Sequence, residues 1–513
     1  MVSHDAWQHT FQLFSKKPIV VEPVDAQLTS DAGLLPIRQF DQLIGLTEAM
    51  GSALEDHRHP SWTQHGFLEM VRSRVFGILA GYEDQNDHDA LRSDPVFKLL
   101  CDRLPDDDDL ASQPTLSRFE NSITPRSLLQ LEAWFINRFV ESFDEPPGEI
   151  TLDIDVFDDP THGQQQLALF HGFYKQYQYL VRVITCAEND QVVLPVLLYG
   201  TAHAAMGAHV DIARVVRALR VKFPDVRIKV RADSGYAVPM FYETHESLRI
   251  DYTIGIGMNA VLKRLSADLL QQAVEQYGHT RQPQRLFTGF FYQAGTWPEP
   301  RWVVVKCEAN AQGTNRRAVV TNRPGARVVP QGAYEEYAER GESENRNKEL
   351  KCELCADRLS DHRYMANCFR MFLHCAAANL LVHMRRQNAA PPVEPATEVL
   401  LEMQREPTSS GEEEIPRELA SEVLVDPGQN NSARVSHEVP AEASGGRQRR
   451  QQFNRRRQAD PLGEGHACTW RLMLIKVAAR IQVTARRVRV LLSGCWPFLP
   501  FFRDVGRALV GDS

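Results

Sequence analysis

Apolar residues recur at three- and four-residue steps over 67–82 (FLEMVRSRVFGILAGY) and 126–143 (RSLLQLEAWFINRFVESF), the period of an amphipathic helix, and residues 1–145 read as mostly helical. Between these runs, Pro114 suits a first helical turn capped by Ser112 or Gln113. A short helix there presents Thr115, Ser117 and Arg118, either to a DNA groove or as one more face of a helical bundle. The texture changes at Pro146-Pro147-Gly148. Beyond it, alternating or continuous apolar runs predict strands over 149–156, 179–186, 192–198 and 227–232, with Glu188-Asn189-Asp190 as a hairpin turn and a helix over 209–222. A further strand (251–256) and helix (260–277) lead into a strand-rich block at 285–293, 302–307 and 318–321, with a loop at 294–298. Helices resume over 334–386. The fold class is mixed α/β.

Composition sets bounds on this picture. At 513 residues the chain is worth about three domains, and 43% hydrophobic with 24% charged residues exclude collagen-like or wholly disordered chains. A net charge of -8 argues against a phosphate-rich partner until its distribution is seen. Residues 388–446 hold twelve acidic residues against three Arg, in a Pro-, Glu- and Ser-rich stretch with the composition of a disordered linker. Residues 447–489 hold twelve Arg or Lys against Asp460 and Glu464, including six Arg within RQRRQQFNRRR (447–457), a run suited to non-specific phosphate contact. The N-terminus lacks a signal-peptide pattern, the apolar tract 490–502 is short and contains two prolines, and nine cysteines is an odd number. These features predict a cytoplasmic chain with reduced thiols and no membrane span.

Three groups of carboxylates stand out from a solvated background. In EITLDIDV, Asp153 and Asp155 alternate with Leu152, Ile154 and Val156, so both leave one face of a strand and are costly there unless paired or metal-bound. Asp233 ends the strand RIKVRA, where sheet proteins place their sites. On a continuous helix, Tyr337, Arg340, Glu344 and Lys351 share a stripe about 60° wide, which singles out Glu344 from its acidic neighbours. Such charges also occur as plain solubilising pairs.

The spacing Y-x2-R-x3-E-x6-K, following one Asp on a first strand and another at the end of a fourth, resembles insertion-sequence transposases of the DDE class, in the branch with the YREK signature. LASQPTLSRFEN (110–121), DIDVFDDPTHGQQQ (153–166), FHGFYKQYQYL (170–180), RADSGY (231–236) and TWRLMLIKVAAR (469–480) are similar to the same branch. The resemblance implies a ribonuclease-H-like catalytic core over 146–257 and 331–387, interrupted by a β-rich insertion at 258–330. A helical domain that binds DNA ends precedes it at 1–145, and an acidic linker (388–446) and a basic C-terminal segment (447–513) follow. It further implies that Asp155, Asp233 and Glu344 hold two Mg²⁺ or Mn²⁺ ions, with Asp153 the neighbouring alternative for the first position. Arg340 and Lys351 would contact phosphates beside the cut, and Tyr337 the adjoining backbone.

The implied activity is cutting at the element's own terminal inverted repeats and joining the freed 3′-OH ends to target DNA. The implied partners are terminal and target DNA and a second protomer in a synaptic complex, in a nucleoid-associated setting. Two alternatives are a ribonuclease-H-like nuclease without strand transfer and an inactive transposase-derived DNA-binding protein. Relatives that cut through a DNA hairpin hold a flipped base with aromatic side chains. Trp297, expected at a loop tip, is the candidate for that role, or else a packed loop residue. Cys352-Glu-Leu-Cys355 hints at zinc but lies in a helical run without a second such pair, so it reads as free thiols. His162 and His171 are possible flanking residues.

Overall fold

A computed structural model describes residues 8–13, 17, 19–24, 26–388 and 466–510. The acidic stretch at 389–446 and the Arg-rich run at 447–457 lie outside the described residues. Strands β1 (His9–Phe11) and β2 (Ile19–Val21) form a two-stranded antiparallel ribbon, and β3 (Leu28–Thr29) leads into the helical N-terminal layer. That layer includes helices Leu34–Ile44, Phe67–Ala80, Gln113–Asn121 and Pro125–Glu141.

A nine-stranded mixed sheet forms the centre. Its strands are β4 (Glu149–Pro160), β5 (Leu169–His171), β6 (Gln176–Cys186), β7 (Val192–Leu198), β8 (Arg227–Ala232), β9 (Asp251–Ile256), β10 (Gln284–Tyr292), β11 (Arg301–Asn310) and β12 (Gly313–Thr321). They lie in the order β10-β11-β12-β9-β8-β4-β6, and β5 and β7 both pair with β6. β4, β6 and β7 are antiparallel, then β8 and β9 run parallel to β4, the arrangement expected of a ribonuclease-H-like sheet. Asp190 takes the left-handed conformation in the predicted hairpin turn.

The segment 258–330, expected as a β-rich insertion, contains both helices and strands. It begins with helices Ala260–Leu265 and Ala267–Thr280, and its strands prolong the main sheet, because β12 pairs antiparallel with the edge of β9. An unpaired strand edge is costly, and this pairing satisfies it.

The two faces of the sheet explain the apolar runs. Ile150, Leu152, Ile154, Val230 and Ile254 pack on one side with residues of helices Ala208–Lys222 and Pro239–Ser247. Phe157, Val181 and Val183 pack on the other with helix Tyr364–Asn388 and the N-terminal layer. That helix is long and apolar enough to cross a membrane by length and composition alone, but 83% of its apolar window is buried inside the protein. Glu120, fully buried, joins Arg74 of helix Phe67–Ala80 and Arg370 of helix Tyr364–Asn388.

The C-terminal segment folds back on the N-terminal layer. β13 (Ala479–Val483) pairs with both β14 (Val488–Leu492) and β3, Trp470 is fully buried, and Arg471 donates to the carbonyls of Ile78, Leu79 and Glu353. A Cβ on Gly33 would stand 1.8 Å from the Leu474 carbonyl oxygen, so only glycine permits this approach.

The helical region expected over 334–386 is divided into several elements. Helix Pro330–Ala338 is followed by helix Gly341–Lys348, a π-turn at Glu349–Glu353 and a loop in which Cys355 is left-handed. Helix Tyr364–Asn388 starts only after Asn367 accepts from the Asp361 amide and Asp361 from the Arg363 amide. These local hydrogen bonds compete with helix continuation.

Towards its end, β4 carries Asp159 fully into the interior. Burial pushes its pKa up to about 8; the nearby Leu359 amide offsets this little, and the charges of Asp357 and Asp158 add to it. The folded chain therefore keeps a proton that the unfolded chain loses near pH 4, and this site costs stability progressively as pH rises from about 4 to about 8. Asp159→Asn removes that titration. Thermal melts are expected to place the variant about 5 °C above the parent at pH 8.5, with the gap narrowing at pH 5.5. A pH-independent gap would contradict this account.

Candidate active site

Asp153 and Asp155, two of the four aspartates of β4, meet different fates, although both leave the same face. Asp153 stands opposite Arg231 of β8, whose guanidinium donates to both carboxylate oxygens at 2.7 Å, and both side chains are buried. Its charge is consumed in a structural pair. Two residues on, the Asp155 side chain retains 16% exposure. Its Oδ1 accepts from the Val156 amide at 2.9 Å and its Oδ2 from Arg340 Nη1 at 3.0 Å.

Asp233 ends β8 and caps the turn Ser234–Tyr236, its Oδ1 accepting from the Gly235 amide at 2.9 Å. Glu344 lies on helix Gly341–Lys348 with its side chain 56% exposed, and its Oε1 accepts from Arg340 Nη2 at 2.5 Å. One guanidinium thus bridges carboxylates 189 positions apart in sequence, one at a strand and one on a helix. Burial pushes the Asp155 carboxyl up to about 6; Arg340 opposes this, while the negative charges of Asp233 and Glu344 reinforce it. The three carboxylates therefore share one electrostatic neighbourhood.

The expected stripe of four residues is corrected in detail. Arg340 caps the junction between two helices, and Lys351 sits in the π-turn rather than on a continuous α-helix. Tyr337 packs its hydroxyl against Gly255, where a Cβ would come within 2.6 Å, and a Cβ there would also lie 3.4 Å from the Asp233 carbonyl carbon. Its ring lies 5.9 Å from the Arg340 guanidinium. Burial pushes the Tyr337 phenol up, Arg340 opposes, and Asp233 and Glu344 add.

Lys351 Nζ donates to Asp158 Oδ1 at 2.6 Å, while Gln176 donates to Asp158 Oδ2 at 2.9 Å. Burial would raise the Asp158 carboxyl, but these two hydrogen bonds outweigh it and hold the group below its usual value. Sequence reasoning assigned Asp158 no role. The available signal was its place in the same strand at the far end of an Asp-x-Asp-x-x-Asp run.

One other expectation parts from the structure. Trp297 is not at an exposed loop tip: it is 5% exposed, wedged between Tyr242 and Tyr292 with Arg301 near its ring, the packed alternative. A ring so buried offers no surface to a base. Arg118 is exposed on helix Gln113–Asn121, as predicted, where it donates to Thr115 Oγ1 at 2.9 Å. Arg118 and Trp297 make these contacts away from the three carboxylates.

The donor set suits a hard divalent cation: carboxylate oxygens, one of them only partly exposed, with a surplus of negative charge that a guanidinium only partly cancels. A different trio, Glu349, Glu353 and His466, has ligand atoms within 4.8 Å of one another. Both oxygens of Glu349 are already engaged by Arg385, and one also accepts from the Ala467 amide at 2.8 Å, so this group works as a clasp on the C-terminal segment. Cys352 and Cys355 are not joined in a disulfide.

None of the curated proteins matches the chain. Residues 11–399 match the family described as transposase DDE domain, group 1. That match takes in the strand-borne aspartates, the helix bearing Glu344 and well over half of the chain, and the protein belongs to this family of DDE transposases.

Proposed function

We propose that Asp155, Asp233 and Glu344 hold two divalent ions, Mg²⁺ or Mn²⁺, and that the protein cuts at the terminal inverted repeats of its own insertion sequence and joins the freed 3′-OH ends to target DNA. The observation that carries this reading is the Arg340 bridge between Asp155 and Glu344, with Asp233 in the same electrostatic neighbourhood. When bound, paired ions supply charge stabilisation for the attacking and leaving oxygens of a phosphoryl displacement.

The chain's own groups prepare the rest. Arg340 keeps two carboxylates apart and paired, and it is held firmly protonated by Asp155, Tyr337 and Glu344 against the cost of burial, so it is free to meet a phosphate oxygen without losing its charge. Lys351, held by Asp158, lies where a strand leaving the carboxylates would need a second cation. Tyr337 fixes the height of Arg340 over Gly255. The helical region 1–145, with Arg118, is proposed to bind the element's ends, and pairing two ends calls for at least two protomers acting on nucleoid DNA.

The test is an assay on duplexes taken from the DNA flanking the reading frame, with Mg²⁺, scoring strand cleavage and joining to a plasmid separately. Both products are expected. Cleavage without joining would instead indicate a nuclease, and stable binding with neither product a DNA-binding protein that has lost catalysis.

A further inference from the structure

The hairpin formed by β5 and the start of β6 carries a run of aromatic side chains that no core accepts. Phe170 is 51% exposed, Phe173 83% and Tyr177 59%, and Tyr174 is also exposed. They touch one another: Phe170 and Tyr177, paired across the two strands, have ring centroids 5.6 Å apart, and Phe173 and Tyr174 5.1 Å. The turn is tight, with the Lys175 amide donating to the His171 carbonyl at 2.8 Å and Lys175 in the left-handed region, so Phe173 is thrust outward at its apex. Exposed single apolar residues are ordinary on a surface; a contiguous aromatic group of this kind marks a binding surface.

Its place in the fold says what binds. Gln176, at the base of the hairpin, donates to the same Asp158 carboxylate that holds Lys351. Tyr174 lies close enough for the charges of Asp158, Asp233 and Asp155 to add to the burial that pushes its phenol up. Tyr174 therefore stands at the mouth of the carboxylate site with Phe173 against its ring, and Gln176 ties the base of the hairpin to the Asp158 carboxylate that holds Lys351. Flat rings beside cations match nucleic acid, and since the faces of paired bases are hidden in the duplex stack, only unpaired bases can use them.

We infer that the hairpin at 169–178 is a stacking platform for unpaired bases of the DNA strand entering the site, so that the terminal base pairs open before cutting. This rests on the proposed function, whose own aromatic candidate, Trp297, is buried. Phe173 and Tyr177 act as positioning residues: they hold the strand and leave the carboxylates to the chemistry.

The test uses the full chain with Ca²⁺ in place of Mg²⁺ at one fixed salt concentration. Fluorescence anisotropy is read with a labelled twelve-nucleotide oligothymidine and with a labelled duplex closed at both ends. The Phe173→Ala/Tyr177→Ala variant is expected to bind oligothymidine about tenfold more weakly and the closed duplex within about twofold of the parent, while Phe173→Trp binds both like the parent. In Mg²⁺, the double variant should cut fully paired terminal duplexes about tenfold more slowly, and duplexes with mismatched terminal pairs at close to the parental rate. Unchanged oligothymidine binding, or an equal loss of cutting on paired and mismatched ends, overturns the inference. So does unchanged binding with a smaller species on gel filtration, which would make the patch a contact between copies. Oligothymidine binding requires no cleavage. A chain that binds as expected and never cuts thus sinks the proposed function alone, and one that cuts while the variant binds unchanged sinks the platform alone.

Discussion

Asp155→Asn, Asp233→Asn and Glu344→Gln are each expected to lower single-turnover cleavage of terminal duplexes by about 10³-fold or more, the equivalent of about 4 kcal/mol of transition-state stabilisation. Folding should survive in all three. Glu344 is more than half exposed, so losing its pair with Arg340 costs less than about 1 kcal/mol, and Asp155 already bears a burial penalty as a charged group. Asp153→Asn should behave in the opposite way. It leaves the Arg231 guanidinium in the interior with only Glu339 at 3.5 Å and the Glu336 carbonyl at 2.9 Å to compensate. Breaking a buried pair of this kind typically costs 3–5 kcal/mol, and these fallback partners put the loss near the low end, about 3 kcal/mol. Below its melting temperature this variant should cut within about tenfold of the parent rate. The measurements are a melt and a cleavage time course on the same preparations. A stable, inactive Asp153→Asn beside an active Asp155→Asn would transfer the first ligand position to Asp153.

That contrast marks where the sequence stops being informative. Alternation in EITLDIDV places both aspartates on one face, but which of them is spent on an ion pair depends on Arg231 standing opposite in a strand 78 residues away. The strands of the central sheet other than the short β5 were legible because their apolar patterns are local and repeat at their own period. The helices over 334–386 were legible too, but not the break before Tyr364, because the hydrogen bonds there come from Asp361 and Asn367 side chains whose preference for the backbone leaves no mark on apolar periodicity. Trp297 does lie in a loop, as its flanking Gly and Pro signal, but the local pattern left open whether its ring is exposed or packed, because the Tyr242 ring that helps bury it is distant in sequence. Glu344 could be picked from its acidic neighbours by helical phase even though the helix is broken, because it keeps its four-residue spacing from Arg340. The role of Lys351 as partner of Asp158 involves two elements and was beyond any local pattern.

Glu120→Ala is expected to produce the largest loss of stability among single substitutions, about 3–5 kcal/mol, and a fall in melting temperature on the order of 10 °C. Glu120 is fully buried and accepts from Arg74 Nε at 2.9 Å and from Arg370 Nε at 2.5 Å. Burial pushes the Arg74 guanidinium down, the Glu120 charge opposes this, and the second guanidinium of Arg370 adds to the strain, so one carboxylate offsets two cations. Arg370 has Ser360 at 2.6 Å and Asp361 at 3.6 Å to fall back on, whereas Arg74 keeps the uncharged Glu83 carbonyl at 2.8 Å. Removal of Glu120 therefore leaves an uncompensated charge in the core rather than merely deleting a contact. The neutral Glu120→Gln retains an acceptor but not the charge and should lose somewhat less. Added salt should rescue neither variant, since the network is inaccessible to counter-ions. Arg358→Ala, which breaks the largely exposed pair with Glu83, is the surface control and should cost less than about 1 kcal/mol. The functional consequence follows from topology: Glu120 ties the helix carrying Arg118 to the helix that backs the catalytic sheet, so binding of terminal duplexes should weaken in Glu120→Ala even at temperatures where the carboxylate site still cuts pre-bound DNA. A melting temperature within about 2 °C of the parent would mean that the two guanidiniums find other partners, and the layer would then owe its attachment to apolar packing alone.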